Sequence, residues 1–586
     1  MHPDFNPMEE PSKPGQKAGR AMEGGVRLAI AAVGGNLVLA STLTLSLMAG
    51  MVFVLCVAIV FILNSDDPVA GLGIAIGLTI LFSVLSFFIS PFIMDLTQQW
   101  LYQTTWVSLE DIAQYSPETA QVIQQVCGEK KLKQPRLGII NDQNPTAFTY
   151  GSLPSQARLV VSRGLFTYLD DDEVAAVYAH ELGHIVHWDF AVMTIASTLV
   201  QICYLIYTTA QRIGNRGGDN KAKDAVQTAA TVAYLFYLIG SYLLLYLSRV
   251  REYFADHFSA ETTGNPNALS RALVKIAYGL VEEGRRQKEP SRLLEGTRAL
   301  GIYDSKAALT TGTAYRMSAT SDRIGRVFLW DMFNPWGWWM ELNSTHPLTG
   351  KRIRALTTYA EQLGIAAEFD MAGVVREGKS LSKKRLYSGF LLDLLLYSAE
   401  VIGFFAGLIT GWVLVITAGH TGFVIALPLI GLGVGILLKA LVMFPNVNYA
   451  TETNILELMS NPYASPLRGQ PAKLQGELIG RGEAGYVFGS DLQFQDKTGL
   501  LYLRYASRFG PIGNFLFGMN RVKRLIGTPA KTLGWFRRGA ASWMDLIQLE
   551  SEGGTVVNSY HRFWSFVLGT GCIAIGIWLG LLIGQS

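Results

Sequence analysis

Charged side chains are scarce in this sequence. Lys, Arg, Asp and Glu make up 16% of 586 residues, against about 25% in an ordinary soluble domain, which excludes a wholly water-soluble chain. The formal net charge is 49 − 46 = +3, so the basic footprint of a nucleic-acid binder is missing and no nucleic-acid partner is expected. Cysteine is nearly absent. Cys56, Cys127, Cys203 and Cys572 are scattered, three of them in apolar runs, and they form neither a disulfide framework nor a CxxC zinc pattern. Histidine numbers only eight, so any cluster of it carries information. What abounds is apolar, 49% of the chain, and part of it must lie in a lipid bilayer.

A helix needs roughly 20 apolar residues to cross the hydrocarbon core. Uncharged runs of that kind occupy 42–63, 69–94, 190–210, 226–247, 401–418, 421–438 and 563–583, giving seven expected spans. The Gly- and Ala-rich stretch 28–41 reads as an interfacial or buried helix, with a second span as the alternative. The polar, Pro-containing start is no signal peptide and reads as a flexible tail. The breaks at 64–68 and 419–420 carry no Lys or Arg, which places them outside and the long polar segments in the cytosol. Loop 211–225, with Arg212, Arg216, Lys221 and Lys223, runs against that orientation. The expected organisation is a tail 1–25, membrane helices 26–95, and a first part 96–189 of a polar domain. A membrane hairpin 190–248, the second part 249–385 of that domain and a second hairpin 386–445 follow. A linker 446–471, a small β-domain 472–555 and a last membrane helix 556–586 complete it.

Three of the eight histidines fall within eight residues, His180-Glu-Leu-Gly-His184-Ile-Val-His187. Upstream, Asp170 and Glu173 have the spacing of a helix-starting capping box. On such a helix His180 and His184 lie four apart and share a face, so both imidazoles can grip one ion. Glu181, beside the first of them, can take a proton from water held by that ion. This is the H-E-x-x-H pattern of zinc peptidases. Two histidines leave a tetrahedral site incomplete, since hydrolytic sites add one more protein ligand and keep a place for water. Past the hairpin, Glu252 and Asp256 are again four apart. Glu252 can complete a His₂Glu set, and Asp256 can accept the free N–H of a ligating histidine. A solvated acidic face paired with Arg249 and Arg251 is the plainer alternative. Between His184 and Glu252 the chain crosses the apolar layer twice, which returns both to one side.

Several further stretches accompany these. They are Asn144-Pro-Thr-Ala147-Phe148-Thr-Tyr-Gly151, residues 160–165, Asp172-Glu-Val through Asp189, Arg251-Glu252-Tyr-Phe-Ala-Asp256, and Ser344-Thr-His346-Pro through Arg352-Ile353. In order and spacing they resemble the membrane-embedded zinc metallopeptidases of the HtpX and CaaX-prenyl-endopeptidase family, over about residues 40–360. The resemblance implies a helical, gluzincin-like catalytic domain on a transmembrane bundle. It implies one zinc ion on His180, His184 and Glu252, with Glu181 as general base. Asp256 and Asp189 would support the ligands, and Asn144, Ala147 and Phe148 would lie along extended substrate. His346 and Arg352 match a stretch that donates hydrogen bonds to the tetrahedral intermediate, a term that is often large in a dry cleft. The alternatives are that Arg352 pairs with a carboxylate and His346 packs on Pro347. His187 stands where relatives often carry Asn and reads as an incidental helix residue.

Past residue 443 the resemblance ends. Short alternating runs at 473–479, 486–488, 492–495, 500–505, 531–537 and 542–549, punctuated by glycine, read as strands of a small β-barrel. A helix-like piece at 513–525 before the last two gives the order of an OB-type barrel. Exposed Trp535 and Tyr502 on such a barrel would stack on single strands. Support at the membrane or presentation of substrate is the preferred role, and burial of Trp535 and Trp543 in a core is the plain alternative. The fold expected is therefore mainly α, integral to the membrane, with a C-terminal β-barrel. The function expected is a membrane-bound zinc endopeptidase acting on membrane or misfolded proteins from the cytosolic face of a bacterial-type cytoplasmic membrane. CaaX-type processing of prenylated or other specific peptides is the alternative, and a non-catalytic membrane scaffold is the reading from a different class. The expected partners are a protein or peptide substrate and the lipid bilayer.

Overall fold

In a computed structural model the described residues are 37–63, 66–214, 220–286, 321–418, 422–481, 490–539 and 542–584. Two apolar helices, α1 (Leu37–Leu63) and α2 (Asp66–Leu101), open the chain. A four-stranded sheet follows, built from β1 (Thr105–Val107), β2 (Arg136–Ile140), β3 (Ala147–Tyr150) and β4 (Arg158–Ser162), in the order β1-β2-β4-β3. β2 and β4 run parallel and β3 returns antiparallel along β4. β3 therefore lies at the edge. Asp95, near the end of α2, ties the membrane helix to this sheet through Arg158 and the Tyr150 hydroxyl.

The H-E-x-x-H segment lies on α3 (Asp171–Val186). Its start is set as the sequence predicts: the Asp170 N–H donates to Glu173 Oε2 at 3.0 Å. Just past its C-cap His187 stands Trp188, a non-glycine residue at φ 60°. That left-handed residue redirects the chain into α4 (Asp189–Gly214), and α5 (Asn220–Thr263) brings it back. At about 1.5 Å per residue the 44 residues of α5 exceed what the hydrocarbon core needs, so the helix continues past the bilayer with Glu252 and Asp256 on its far part. α3 and α5 approach closely at Gly183, where an added Cβ would lie 3.2 Å from the Ala255 Cα. Glycine between the two histidines is what allows that approach.

Six helical stretches are long and apolar enough to cross a membrane among the described residues: 76–100, 189–212, 226–263, 399–417, 423–449 and 563–582. The protein is integral to the membrane. The span expected at 42–63 falls in α1, whose stretch 41–55 is apolar but shorter among residues with described side chains. Loop 215–219, part of the segment that ran against the charge bias, lies outside the described residues.

After α5, α6 (Pro266–Arg286) packs on α3, and α7 (Ala399–Ala418) and α8 (Phe423–Met443) form the second hairpin. The two-residue strand β5 (Thr451–Glu452) precedes the barrel strands β6 (Gln470–Arg481), β7 (Leu492–Gln495), β8 (Leu500–Arg504), β9 (Pro529–Arg537) and β10 (Trp543–Ser551); β11 (Val556–Asn558) extends β10. β6 pairs β7, β7 pairs β8, β8 pairs β10 in parallel, β10 pairs β9, and β9 returns to β6. The ring closes with five strands. A helix, α9 (Gly510–Asn520), sits between its third and fourth strands, which is the OB-type order expected. The strand expected at 486–488 lies outside the described residues. A final apolar helix, α10 (Phe563–Gly584), ends the chain.

The plain alternative holds for Trp535, and one expectation about this region changes. Trp535 is buried rather than exposed: its Nε1 donates to the Pro445 carbonyl at 2.8 Å and its ring meets Phe444. Tyr502 and Trp543 are half-buried. The stacking surface that single strands would need is therefore missing at Trp535, because the barrel seats on the end of α8. The stretch read as a linker is packed as well, with Ile455, Leu458 and Met459 in one core with the barrel and with Trp330 and Trp336.

Candidate metal centre and cleft

α3 and α5 cross where His180, His184 and Glu252 meet. His180 Nε2 lies 3.2 Å from His184 Nε2 and 3.6 Å from Glu252 Oε2, and His184 Nε2 lies 3.5 Å from Glu252 Oε1. A tetrahedral ion with ligand bonds of about 2.0–2.2 Å has ligand–ligand edges of about 3.3–3.6 Å, so these three groups have the spacing of one face of such a site. Glu252 Oε2 is buried and has no hydrogen-bond partner. With the Arg352 guanidinium no nearer than 3.5 Å, a buried carboxylate oxygen without a hydrogen bond leaves room for a closer cation. The donor set and that oxygen fit a divalent metal.

The outer nitrogens of both rings face carboxylates. His180 Nδ1 sits 3.0 Å from Asp256 Oδ1, and His184 Nδ1 2.5 Å from Asp189 Oδ2. Such pairs orient a ligating ring and leave its inner nitrogen to bind. Arg352, fully buried, grips Asp256 at two points, Nε to Oδ2 at 2.9 Å and Nη2 to Oδ1 at 2.7 Å. Its Nη1 is 3.5 Å from Glu252 Oε2. The arginine thus sits behind the ligands.

Glu181 is 2% exposed, and Thr149 Oγ1 on the edge strand donates to its Oε2 at 3.0 Å. Burial pushes its carboxyl up to about 7, and a cation held beside it would draw it down again. His346 is buried at the same centre, its Nε2 3.6 Å from Glu252 Oε1 and its Nδ1 2.9 Å from Thr345 Oγ1. Its segment is held by α5: Arg249 Nη1 donates to the carbonyls of Glu341 and Ser344, and Ser248 Oγ to that of Thr345. His187, in contrast, packs edge-on against Phe254 and Phe258, and burial pushes its pKa down to about 4. It is a neutral packing residue.

A cavity of about 430 Å³ opens at this centre. Its lining joins Thr149, His184, Glu252 and His346 to Phe87, Pro91 and Met94 of α2 and Phe190 and Met193 of α4, with Ser90, Asp189 and Arg251 among the polar members. Within the stretch 144–151 expected along the substrate, the side chains divide by position. Ala147 and Phe148 are fully buried, and the Asn144 side chain turns back to Asp142 Oδ1 at 2.7 Å; Thr149, Tyr150 and Gly151 line the cavity instead. The reason is that Ala147 and Phe148 are taken up by packing within and beneath the sheet. Thr149 and Arg251 stand in the quoted stretches but were given no role of their own by the sequence. Arg251, which only the plainer alternative placed on a solvated face, is buried and bonds the His187 carbonyl at 2.7 Å, Ser41 Oγ at 3.0 Å and the Asp189 carboxylate. It clamps α1 and the α3–α4 junction to α5. The only signal for it was its place beside Glu252.

Residues 113–360 match the family model described as Peptidase family M48. A "Protease HtpX homolog" from Aeropyrum pernix is 30% identical over 330 residues, 55% of this chain and 97% of that protein. Another from Methanothermobacter thermautotrophicus is 32% identical over 241 residues, 41% of this chain and 86% of that protein. The solved structure "Crystal Structure of S. mikatae Ste24p" aligns over 54% of this chain and 65% of that one, at 17% identity and a TM-score of 0.31, a likeness too slight to carry an argument.

Proposed function

This chain belongs to peptidase family M48 and is a membrane metalloendopeptidase, and from that premise we propose a zinc enzyme that cleaves membrane and misfolded proteins at the cytosolic face of a bacterial-type cytoplasmic membrane. The observation that carries the substrate class is the cavity wall: Phe87, Pro91, Met94 and Met193 belong to stretches apolar enough to cross the bilayer, yet they face the same space as Glu252 and His346. Apolar side chains of a substrate thus have apolar partners from two candidate spans within the cavity that holds the hydrolytic centre.

His180, His184 and Glu252 would hold the ion, and its Lewis acidity would polarise the scissile carbonyl and bring the pKa of water toward neutrality. Substrate lies extended along the open edge of β3, taking main-chain hydrogen bonds as an added strand. Glu181 accepts the proton of the attacking water and delivers it to the leaving amine. His346 donates to the oxyanion as it develops. Asp256 and Asp189 hold the two imidazoles, and Arg352 acts through Asp256 as a positioning residue. No serine or cysteine nucleophile is needed.

Thr149 aims the base. In Thr149→Val the β-branched shape stays and the hydroxyl goes, so kcat should fall about ten- to a hundredfold, the scale of one lost orienting hydrogen bond to a charged group, with KM little changed. Thr149→Ser should restore most of it. A change confined to KM would place Thr149 in substrate binding instead.

The apolar wall would also accept a prenyl chain, which is the CaaX-type reading. Purified protein in proteoliposomes, offered an unfolded soluble protein, a membrane-anchored reporter and a prenylated peptide, separates the two. Chelator-sensitive cleavage of the first two is expected; cleavage only of substrates bearing a prenyl group would overturn the quality-control reading.

A further inference from the structure

The barrel carries a surface that peptide hydrolysis does not use. α9 plugs one side into the barrel, where Phe517 stacks on Tyr505 at 3.9 Å and joins the core. Its opposite side is apolar too. Phe509, Ile512, Leu516 and Met519, spaced three, four and three residues apart, are 78%, 72%, 47% and 45% exposed. A barrel helix facing water presents polar residues there. This one contains no charged residue, and its ends carry exposed Arg508, Arg521, Lys523 and Arg524. No Asp or Glu occurs between Asp496 and Asp545, in a chain whose overall charge is close to balanced.

Position gives this face its meaning. Gly510 starts α9 at φ 61°, and a Cβ there would lie 3.7 Å from Trp564 Nε1. Arg508 lies over the Phe563 ring at 5.2 Å. The chain just before α9 is bonded to the chain just before α10: the Tyr560 N–H donates to the Ala506 carbonyl at 2.7 Å, and the Ala506 N–H to Ser559 Oγ at 2.9 Å. Phe563 and Trp564 open the last candidate span, and aromatic residues at the start of a span mark the headgroup boundary. The start of α9 therefore lies beside the start of α10, at that boundary.

We propose that α9 is an interfacial anchor, its Phe509, Ile512, Leu516 and Met519 side seated in the bilayer and its flanking arginines and lysine on anionic headgroups. Apolar burial and attraction to anionic lipid act together in such helices. The barrel is then fixed to the leaflet at two points, α10 and α9.

The full-length protein is placed in nanodiscs of phosphatidylcholine alone and of phosphatidylcholine mixed with phosphatidylglycerol, and amide exchange is read over 509–520. Exchange should be about tenfold slower with phosphatidylglycerol, while 109–115 in the catalytic part is unchanged. The triple substitution Arg521→Gln, Lys523→Gln, Arg524→Gln should remove that lipid dependence with peptidase activity retained, and Leu516→Asp should speed exchange in both bilayers. Equal exchange in the two bilayers would overturn the proposal. So would protection of 509–520 that rises with protein concentration in detergent, since a second copy would then occupy the face.

Discussion

Glu181→Gln should lose at least about a thousandfold in peptide cleavage while keeping its metal. The two side chains have the same size, and Thr149 can donate to the amide oxygen as it does to the carboxylate, so the fold and the ligand cluster have no reason to move. What disappears is the capacity to accept a proton and hand it on. Because Glu181 is buried beside the proposed ligands, and Glu252 would be committed to the cation, no other carboxylate among the described residues stands ready to take its place. Full activity in a metal-loaded, purified Glu181→Gln protein would remove the residue from the mechanism.

Arg352→Ala should destabilise the protein by about 3–5 kcal/mol and weaken metal binding about ten- to a hundredfold. Asp256 is fully buried and takes two hydrogen bonds from this one guanidinium. Without it the carboxylate has only the His180 edge to face, and an uncompensated buried charge is the expensive half of a broken pair. His180 then loses the oriented partner on its outer nitrogen. Thermal unfolding and metal titration of the variant measure the two effects separately. Arg352→Lys restores charge without the two-point grip and should recover part of the stability and less of the affinity. Unchanged metal affinity in Arg352→Ala would cut the link from Arg352 through Asp256 to the site.

Much of this site was legible because its signals are local or periodic. His180 and His184 announce themselves by a four-residue spacing, Glu173 by its distance from Asp170, and the membrane helices by uncharged runs of helix length. Glu252 was reachable through parity: two crossings of an apolar layer return the chain to one side. The barrel order was legible from alternation, glycine breaks and one helix before the last two strands. What stayed hidden depends on partners far away in sequence. Thr149 is 32 residues from Glu181 and Arg251 is 210 from Ser41; no period joins them. Arg251 misleads because an arginine beside acids on a helix usually faces water, whereas here three elements converge on it. Trp535 misleads for the mirror reason, since its strand alternates properly but its outer face is covered by the end of α8.

Anomalous scattering at the zinc edge from crystals of the purified protein tests the central claim most directly. One peak is expected within bonding distance of His180 Nε2, His184 Nε2 and a Glu252 oxygen, and it should vanish in His180→Ala. A peak elsewhere with none between α3 and α5, or a fully active enzyme whose crystals show no metal at these three side chains, would contradict it.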